Sequence, residues 1–305
     1  MIGRRLLFAL IIGLAIQAPL MSIVINNTNT LGYVTGDTDY TGVVEVVFSQ
    51  ASQPGSTFIC SGALVSPTQI LTAGHCISGA EGWSVTFQTA SGTRSISVSD
   101  SALDPMFGPL GNTGLDVYDV GLLTLSTPAP LGAQIYELDL TPSGFVFGSS
   151  TVDMAGYGLG GNPKVGFLGV GTRRHAQNTL TGVIVSVNGV STPDYPLYAP
   201  LTFGTGTADG TGLPNAGDSG GPLFFDGQIL GVTSFGNLPR SDMPSTGPYE
   251  YGVQYYAAFA DIANPLIGGW VESELVPEPG TWALVALGGL ALCARLTRRT
   301  GHRPS

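Results

Sequence analysis

Between residues 40 and 270 the chain runs as short apolar stretches broken by turn-forming residues. The stretches Val43 to Phe48, Gly62 to Val65, Gln69 to Ala73, Val120 to Leu125, Thr151 to Ala155, Thr181 to Val187, Pro222 to Phe225 and Gln228 to Ser234 are rich in Val, Ile, Leu, Thr and Phe, and read as strands. Ser66-Pro67-Thr68, Thr141-Pro142-Ser143-Gly144 and Asp226-Gly227 mark turns between them. Many short strands with frequent glycine predict an all-β sandwich or barrel. One helix is expected in the folded part, Tyr256 to Ile262, stopped soon after by Pro265. Gly156 to Gly171 reads as a glycine-rich loop. Its Gly156-Tyr157-Gly158-Leu159-Gly160-Gly161 comes near the dinucleotide pattern, but no helix signal follows, so no cofactor is expected.

Both ends depart from this pattern. Arg4-Arg5 precede an apolar run from Leu6 to Ile16, the layout of a secretory signal peptide. Cleavage after the small residue Ser22 would expose Ile23-Val24. At the other end Val276-Pro277-Glu278-Pro279-Gly280 leads into the uncharged run Thr281 to Ala294, closed by Arg295 and Arg298-Arg299. That run is short against the ~20 residues of a spanning helix. The combination resembles the PEP-CTERM sorting tail of Gram-negative bacteria. The resemblance implies an exosortase-type sorting partner, membrane contact through residues 281–294, and export to the cell envelope or beyond. The expected divisions are a signal peptide over 1–22, one folded domain over 23–270, a linker with the Pro-Glu-Pro motif over 271–280, and an apolar segment with a basic tail over 281–305.

Composition narrows the class. Only 10% of residues are charged, 43% are apolar, and 45 are glycine. Disorder does not fit so apolar a chain, and a collagen needs a glycine period that is missing. A single lysine, Lys164, rules out a coiled coil. The segment 23–280 holds five basic residues against 21 acidic, a net of −16. Arg173-Arg174 is its only basic cluster, too little for a nucleic-acid partner. Of the three cysteines, Cys293 lies in the tail, while export puts Cys60 and Cys76 where a disulfide persists. Two cysteines next to one histidine, His75, suit zinc poorly, so no metal is expected.

Three segments carry chemistry: Leu71-Thr72-Ala73-Gly74-His75-Cys76, Asp119-Val120-Gly121-Leu122-Leu123 and Gly217-Asp218-Ser219-Gly220-Gly221-Pro222-Leu223. Each alone has an ordinary reading as a packed histidine, a turn aspartate or a glycine turn. Together they supply an alcohol nucleophile, a base that titrates near neutral pH and an acid to orient that base. Glycines around the serine let the backbone turn tightly enough to aim amides at a developing oxyanion. Asp116 could be mistaken for the acid, but the apolar strand follows Asp119 directly. His175 is expected in a surface loop and His302 in the basic tail. Asp209, in a Gly/Thr loop, reads as a turn residue rather than a calcium ligand.

These segments closely resemble the boxes of the trypsin/chymotrypsin-like serine peptidases. Thr72 to Cys76 resembles the Thr-Ala-Ala-His-Cys box, with Gly74 for one alanine, and Gly217 to Pro222 matches the nucleophile box. Asp119 to Leu123, Gly156-Tyr157-Gly158 and Thr233-Ser234-Phe235-Gly236 match three further segments. The resemblance spans roughly residues 23–270. It implies two packed six-stranded antiparallel β-barrels with the site between them, a short C-terminal helix, and a monomer acting on protein or peptide substrates. It implies that His75 is general base and then acid, that Asp119 orients it, that Ser219 is the nucleophile, and that the amides of Gly217 and Ser219 form the oxyanion hole. A Cys60–Cys76 bridge would stand beside His75. Leu213 would take the place of the aspartate that binds Lys or Arg, with Ser234, Gly236 and Gly252 as pocket walls, so a preference for an apolar side chain is expected. A freed Ile23 would pair with Asp218, with no separate zymogen segment. The rival reading is a silent surface-binding or matrix protein on the same fold; the intact His75, Asp119 and Ser219 argue against it.

Overall fold

The computed structural model describes residues 23–26, 38–163, 166–203, 210–238, 249–250 and 252–275. The expected signal peptide, the Pro-Glu-Pro segment, the apolar tail and Asp209 lie outside the described residues. After the short strand β1 (Ile23–Ile25) the chain builds β2 (Val43–Gln50), β3 (Phe58–Ser66), β4 (Gln69–Thr72), β5 (Ala80–Thr89) and β6 (Gly92–Leu103). The small β7 (Gly108–Pro109) and β8 (Asp116–Val117) pair with each other before β9 (Gly121–Leu125). A closed six-stranded barrel results, in the order β2-β3-β4-β9-β6-β5. Its interior is filled by alternating residues such as Val44, Val46, Val85, Phe87 and Leu123, as the period of two dictates.

The second unit holds β10 (Thr151–Gly156), β11 (Gly160–Asn162), β12 (Gly166–Leu168), β13 (Arg174–Thr179), β14 (Gly182–Val183), the hairpin β15 (Ser186–Val187) and β16 (Val190–Ser191), β17 (Leu197–Thr202), β18 (Gly212–Leu213), β19 (Pro222–Phe225), β20 (Gln228–Gly236) and β21 (Gln254–Asp261). Seven of these form one antiparallel sheet, β13-β10-β19-β20-β21-β17-β14. Its far sides meet through a side chain rather than a ladder: Asn178 Nδ2 on β13 donates to Pro200 O on β17 at 3.1 Å and to Gly212 O on β18 at 2.9 Å. β1 inserts between β11 and β18, which carries Ile23, Val24 and Ile25 into this second core.

The expected helix at Tyr256 to Ile262 is instead β21. That strand pairs with β20 on one side and β17 on the other, and two full ladders override the helix preference of its alanines. Pro265 does not stop a helix but opens one, α1 (Pro265–Leu275). Its missing N–H is not needed at the first helical position, and Asn264 Oδ1 caps the end by accepting the Leu266 N–H at 3.0 Å. Ile267 and Val271 of α1 pack into the first core. The expected loop Gly156 to Gly171 contains β11, which pairs with β1, and β12, which pairs with β11. His175, expected in a surface loop, lies on β13 with its ring stacked on Tyr40 at 5.5 Å between centroids. Arg173 and Arg174 are not a surface patch, since they are only 1% and 2% exposed. No helix among the described residues is long and apolar enough to cross a membrane.

Candidate active site

Strand pairing brings the first two candidate groups together. β4 and β9 run antiparallel with Thr72 opposite Gly121. His75 and Asp119 lie just beyond those facing ends, His75 in a 3-10 turn (Gly74–Cys76). The His75 backbone N–H donates to Asp119 Oδ1 at 2.8 Å, and His75 Nδ1 lies 2.8 Å from Asp119 Oδ2. Ser234 Oγ donates to the same Oδ2 at 2.5 Å. The preceding residue, Tyr118, takes a left-handed φ of 51°, and its N–H donates to buried Asp194 Oδ2 at 2.7 Å. Asp119 is 3% exposed, whereas His75 keeps 33% of its side chain open to the cleft.

The electrostatics follow from this geometry. Burial alone would lower the His75 pKa, but the charge and hydrogen bond of Asp119, with a further push from Asp116, hold it above the ordinary value. Burial alone would raise the Asp119 carboxyl; the His75 charge and the hydrogen bonds from His75 and Ser234 pull it below the usual range. The result is an ionised acid beside an imidazole whose Nδ1 proton is fixed toward it.

The third group, Ser219, sits on the turn entering β19, where Gly217 (φ 92°) and Gly220 (φ 81°) supply the left-handed backbone. A Cβ at Gly220 would lie 2.1 Å from Thr72 Oγ1 and 2.4 Å from Ser61 O, so the turn presses on the first barrel. Ser61 ties the two units together. Its N–H donates to Ser219 O at 2.7 Å, and its Oγ donates to Gly217 O and accepts the Tyr157 N–H, both at 2.9 Å. Asp218 is buried behind the turn. Its Oδ1 accepts the Gly158 N–H at 2.7 Å and its Oδ2 the Asn215 N–H at 2.9 Å, with the Ile23 backbone amide as a further donor. Burial pushes this carboxyl up to about 7, against the pull of those amides and of Arg174.

His75, Asp119, Ser219, Ser234 and Gly236 line one cleft of about 340 Å³, together with Asp116, Asn215, Phe235 and Leu238 among others. Leu213 does not line it. It is fully buried on β18, paired with Val24 and packed in the second core, because β1 takes up its side of the strand. Gly252 does not line the cleft either. Cys60 and Cys76 form a disulfide. Their sulfurs and His75 lie within 4.8 Å of one another, the only such trio among the described residues, but sulfurs bonded to each other offer no thiolate to a metal.

Sequence reasoning misses the bridging role of Ser61 and the position of Arg174. The only signal for Ser61 is its place next to Cys60. For Arg174 there is none, since no apolar alternation marks Arg174 to Thr179 as a strand.

Residues 34–259 match the trypsin family. The chain belongs to that family. Trypsin-family membership makes it a serine endopeptidase. It is 32% identical over 184 residues to brachyurin of Leptuca pugilator, covering 59% of this chain and 76% of brachyurin. Kallikrein-8 of Mus musculus is 27% identical over 210 residues, 66% of this chain and 75% of the kallikrein. Two solved structures show the fold: HL collagenase (TM-score 0.58, 18% identity, 81% of this chain and 98% of that one) and neuropsin, a serine protease expressed in the limbic system of mouse brain (TM-score 0.56, 21% identity, 80% and 98%). Residues 275–299 match the PEP-CTERM protein-sorting motif, which indicates export sorting to the envelope or the extracellular space.

Proposed function

We propose that the chain is an exported endopeptidase working through His75, Asp119 and Ser219. Ser219 Oγ attacks the peptide carbonyl while His75 Nε2 takes its proton; His75 then protonates the leaving amine, and the C–N bond breaks to give an acyl-enzyme. Water, activated by the same imidazole, hydrolyses the ester. The amides of Gly217 and Ser219 hold the oxyanion. The observation that carries this reading is the 2.8 Å contact of His75 Nδ1 with ionised Asp119 in a cleft that Ser219 also lines. With its Nδ1 proton directed at the carboxylate, the imidazole presents a basic Nε2.

The cleft's second-unit side supports a preference for an uncharged side chain before the scissile bond. Pro214, Asn215, Ala216, Phe235, Gly236 and Leu238 carry no charge. Ile23 as the mature N-terminus is supported by its amide contact with Asp218 and by its φ of 57°. That angle is strained for a β-branched residue inside a chain, and a freed N-terminus has no φ to strain. Residues 1–22 then serve as the signal peptide and 281–305 as the sorting tail around a peptidase domain at 23–270.

The test is the intact mass of the exported protein before and after a fluorophosphonate label, with Ser219→Ala as control. One label on the native chain and none on the variant is expected. A folded chain that starts at Ile23 and takes no label would sink the reading.

A further inference from the structure

Asp218 is a carboxylate that solvent does not reach, and its hydrogen-bond donors among the described residues are neutral backbone amides. An ionised carboxylate in that setting calls for a cation. A cation on β13 acts on it through space, without a hydrogen bond to it. Gly156 on β10 and Arg174 on β13 are directly opposed in the antiparallel pair, and opposed residues send their side chains to the same face. Gly156 has no side chain, and the Asp218 carboxylate fills the space it leaves: a Cβ there would lie 2.2 Å from Asp218 Oδ1. Arg174 therefore projects from the face against which Asp218 lies. It is 2% exposed, its Nη1 donates to Thr172 O at 2.9 Å, and its charge and that of Asp218 act on each other.

We infer that Arg174 is a positioning residue, a built-in cation that holds Asp218, and through it the Gly217-Asp218-Ser219 turn, in the reactive arrangement whether or not Ile23 has been freed. While Ile23 remains inside a longer chain, its nitrogen is an amide that brings a hydrogen bond and no charge. Freeing Ile23 adds a second cation to a carboxylate that Arg174 already serves. Processing then strengthens the site instead of creating it, and the chain reacts before its N-terminus is cut. The inference rests on the reading of Ser219 as nucleophile.

The test compares the rate of fluorophosphonate labelling in two forms of the full chain. One is processed at Ile23; the other keeps residues 1–22 because Ser22→Tyr puts a bulky side chain at the cut. Both forms of the otherwise native chain should label at rates within about tenfold of each other, less than the ~10²-fold typical of one lost oxyanion donor. Arg174→Gln should slow the uncut form by about a hundredfold or more while sparing the processed form, whose Ile23 ammonium takes over, and Arg174→Lys should restore the uncut form. A side chain that merely braced the fold would slow both forms alike, and that result overturns the inference. So does an uncut Arg174 chain that stays unlabelled while the processed one reacts, a comparison that holds even if Arg174→Gln fails to fold. A processed native chain that takes no label would sink the Ser219 reading, and this inference with it.

Discussion

Ser234 Oγ stands 2.5 Å from Asp119 Oδ2, the oxygen that also faces His75 Nδ1. The second unit thus supplies one of the donors that keep the first unit's acid ionised and in place. Ser234→Ala removes a hydrogen bond to a charged group and should lower kcat by about tenfold. The lost donor also leaves Asp119 a stronger partner for protonated His75. The acid limb of the kcat/KM profile should therefore move to higher pH. An unchanged limb with an unchanged kcat would remove Ser234 from the site.

Asp116 faces the same imidazole from the cleft side. Its carboxyl is pushed up by burial and by repulsion from Asp119, with His75 opposing, and in return it helps hold His75 above its ordinary pKa. His75 acts as a base only when neutral, so activity rises as pH passes its pKa. Asp116→Asn removes an anion and lowers that pKa. The rising limb should shift to lower pH, in the direction opposite to Ser234→Ala. Profiles of the two variants measured side by side check both signs.

The parts of the fold legible in the sequence are those with a strong local pattern. Val43 to Phe48 and Pro222 to Phe225 are compact apolar runs, and both are strands. β6 and β13 escape a reading of the sequence because polar residues dominate them; β6 buries Ile96 among serines. β21 reads as helix because its alanines favour one in isolation, while the decision lies with two neighbouring strands. His75, Asp119 and Ser219 stand out in short motifs and share one cleft. Leu213 is placed by counting back from Ser219, and counting cannot see that β1 covers it. Arg174 depends on a cross-strand partner 18 residues away in sequence, a relation that only the register of β10 and β13 reveals.

Gly156 tests the packing behind the nucleophile. Gly156→Ala places a methyl 2.2 Å from Asp218 Oδ1, with Ser61 Oγ at 3.2 Å on another side. Asp218 is fixed by its amide donors and has little room to retreat. The variant should lose about 2–3 kcal/mol of stability and, because the Gly217–Ser219 turn shifts with Asp218, about a hundredfold in kcat. Chemical unfolding and turnover of the same preparation check both. A folded variant with normal turnover would show that the turn does not depend on Asp218.

The Cys60–Cys76 disulfide, between residues 16 apart, closes the loop that leads to His75. Replacing both cysteines with alanine should cost about 3 kcal/mol by the loop-entropy argument. The β3–β4 pairing and the contact of His75 with Asp119 do not pass through the sulfurs. The double variant should therefore keep its turnover at low temperature and lose it earlier on heating. Turnover lost in the cold would mean that the bridge positions His75 as well as stabilising the loop.

Asp261 offers a stability test away from the cleft. Burial pushes its carboxyl up from 3.8 to about 6, although the Ala263 N–H donates to Oδ1 at 2.9 Å. A carboxyl whose folded pKa is raised favours the fold while protonated. That contribution is full below about pH 4 and is lost as pH climbs through 6, after which a buried charge persists. Asp261→Asn keeps an oxygen to accept the Ala263 N–H and removes the charge. It should stabilise the protein by roughly 2 kcal/mol at pH 8, from a shift of about two pKa units on a mostly buried group. The gain should shrink through pH 6 and vanish near pH 4. Thermal melts of both proteins at pH 4, 6 and 8 measure it, and a gain that stays constant across that range would mean that the buried charge is not its source.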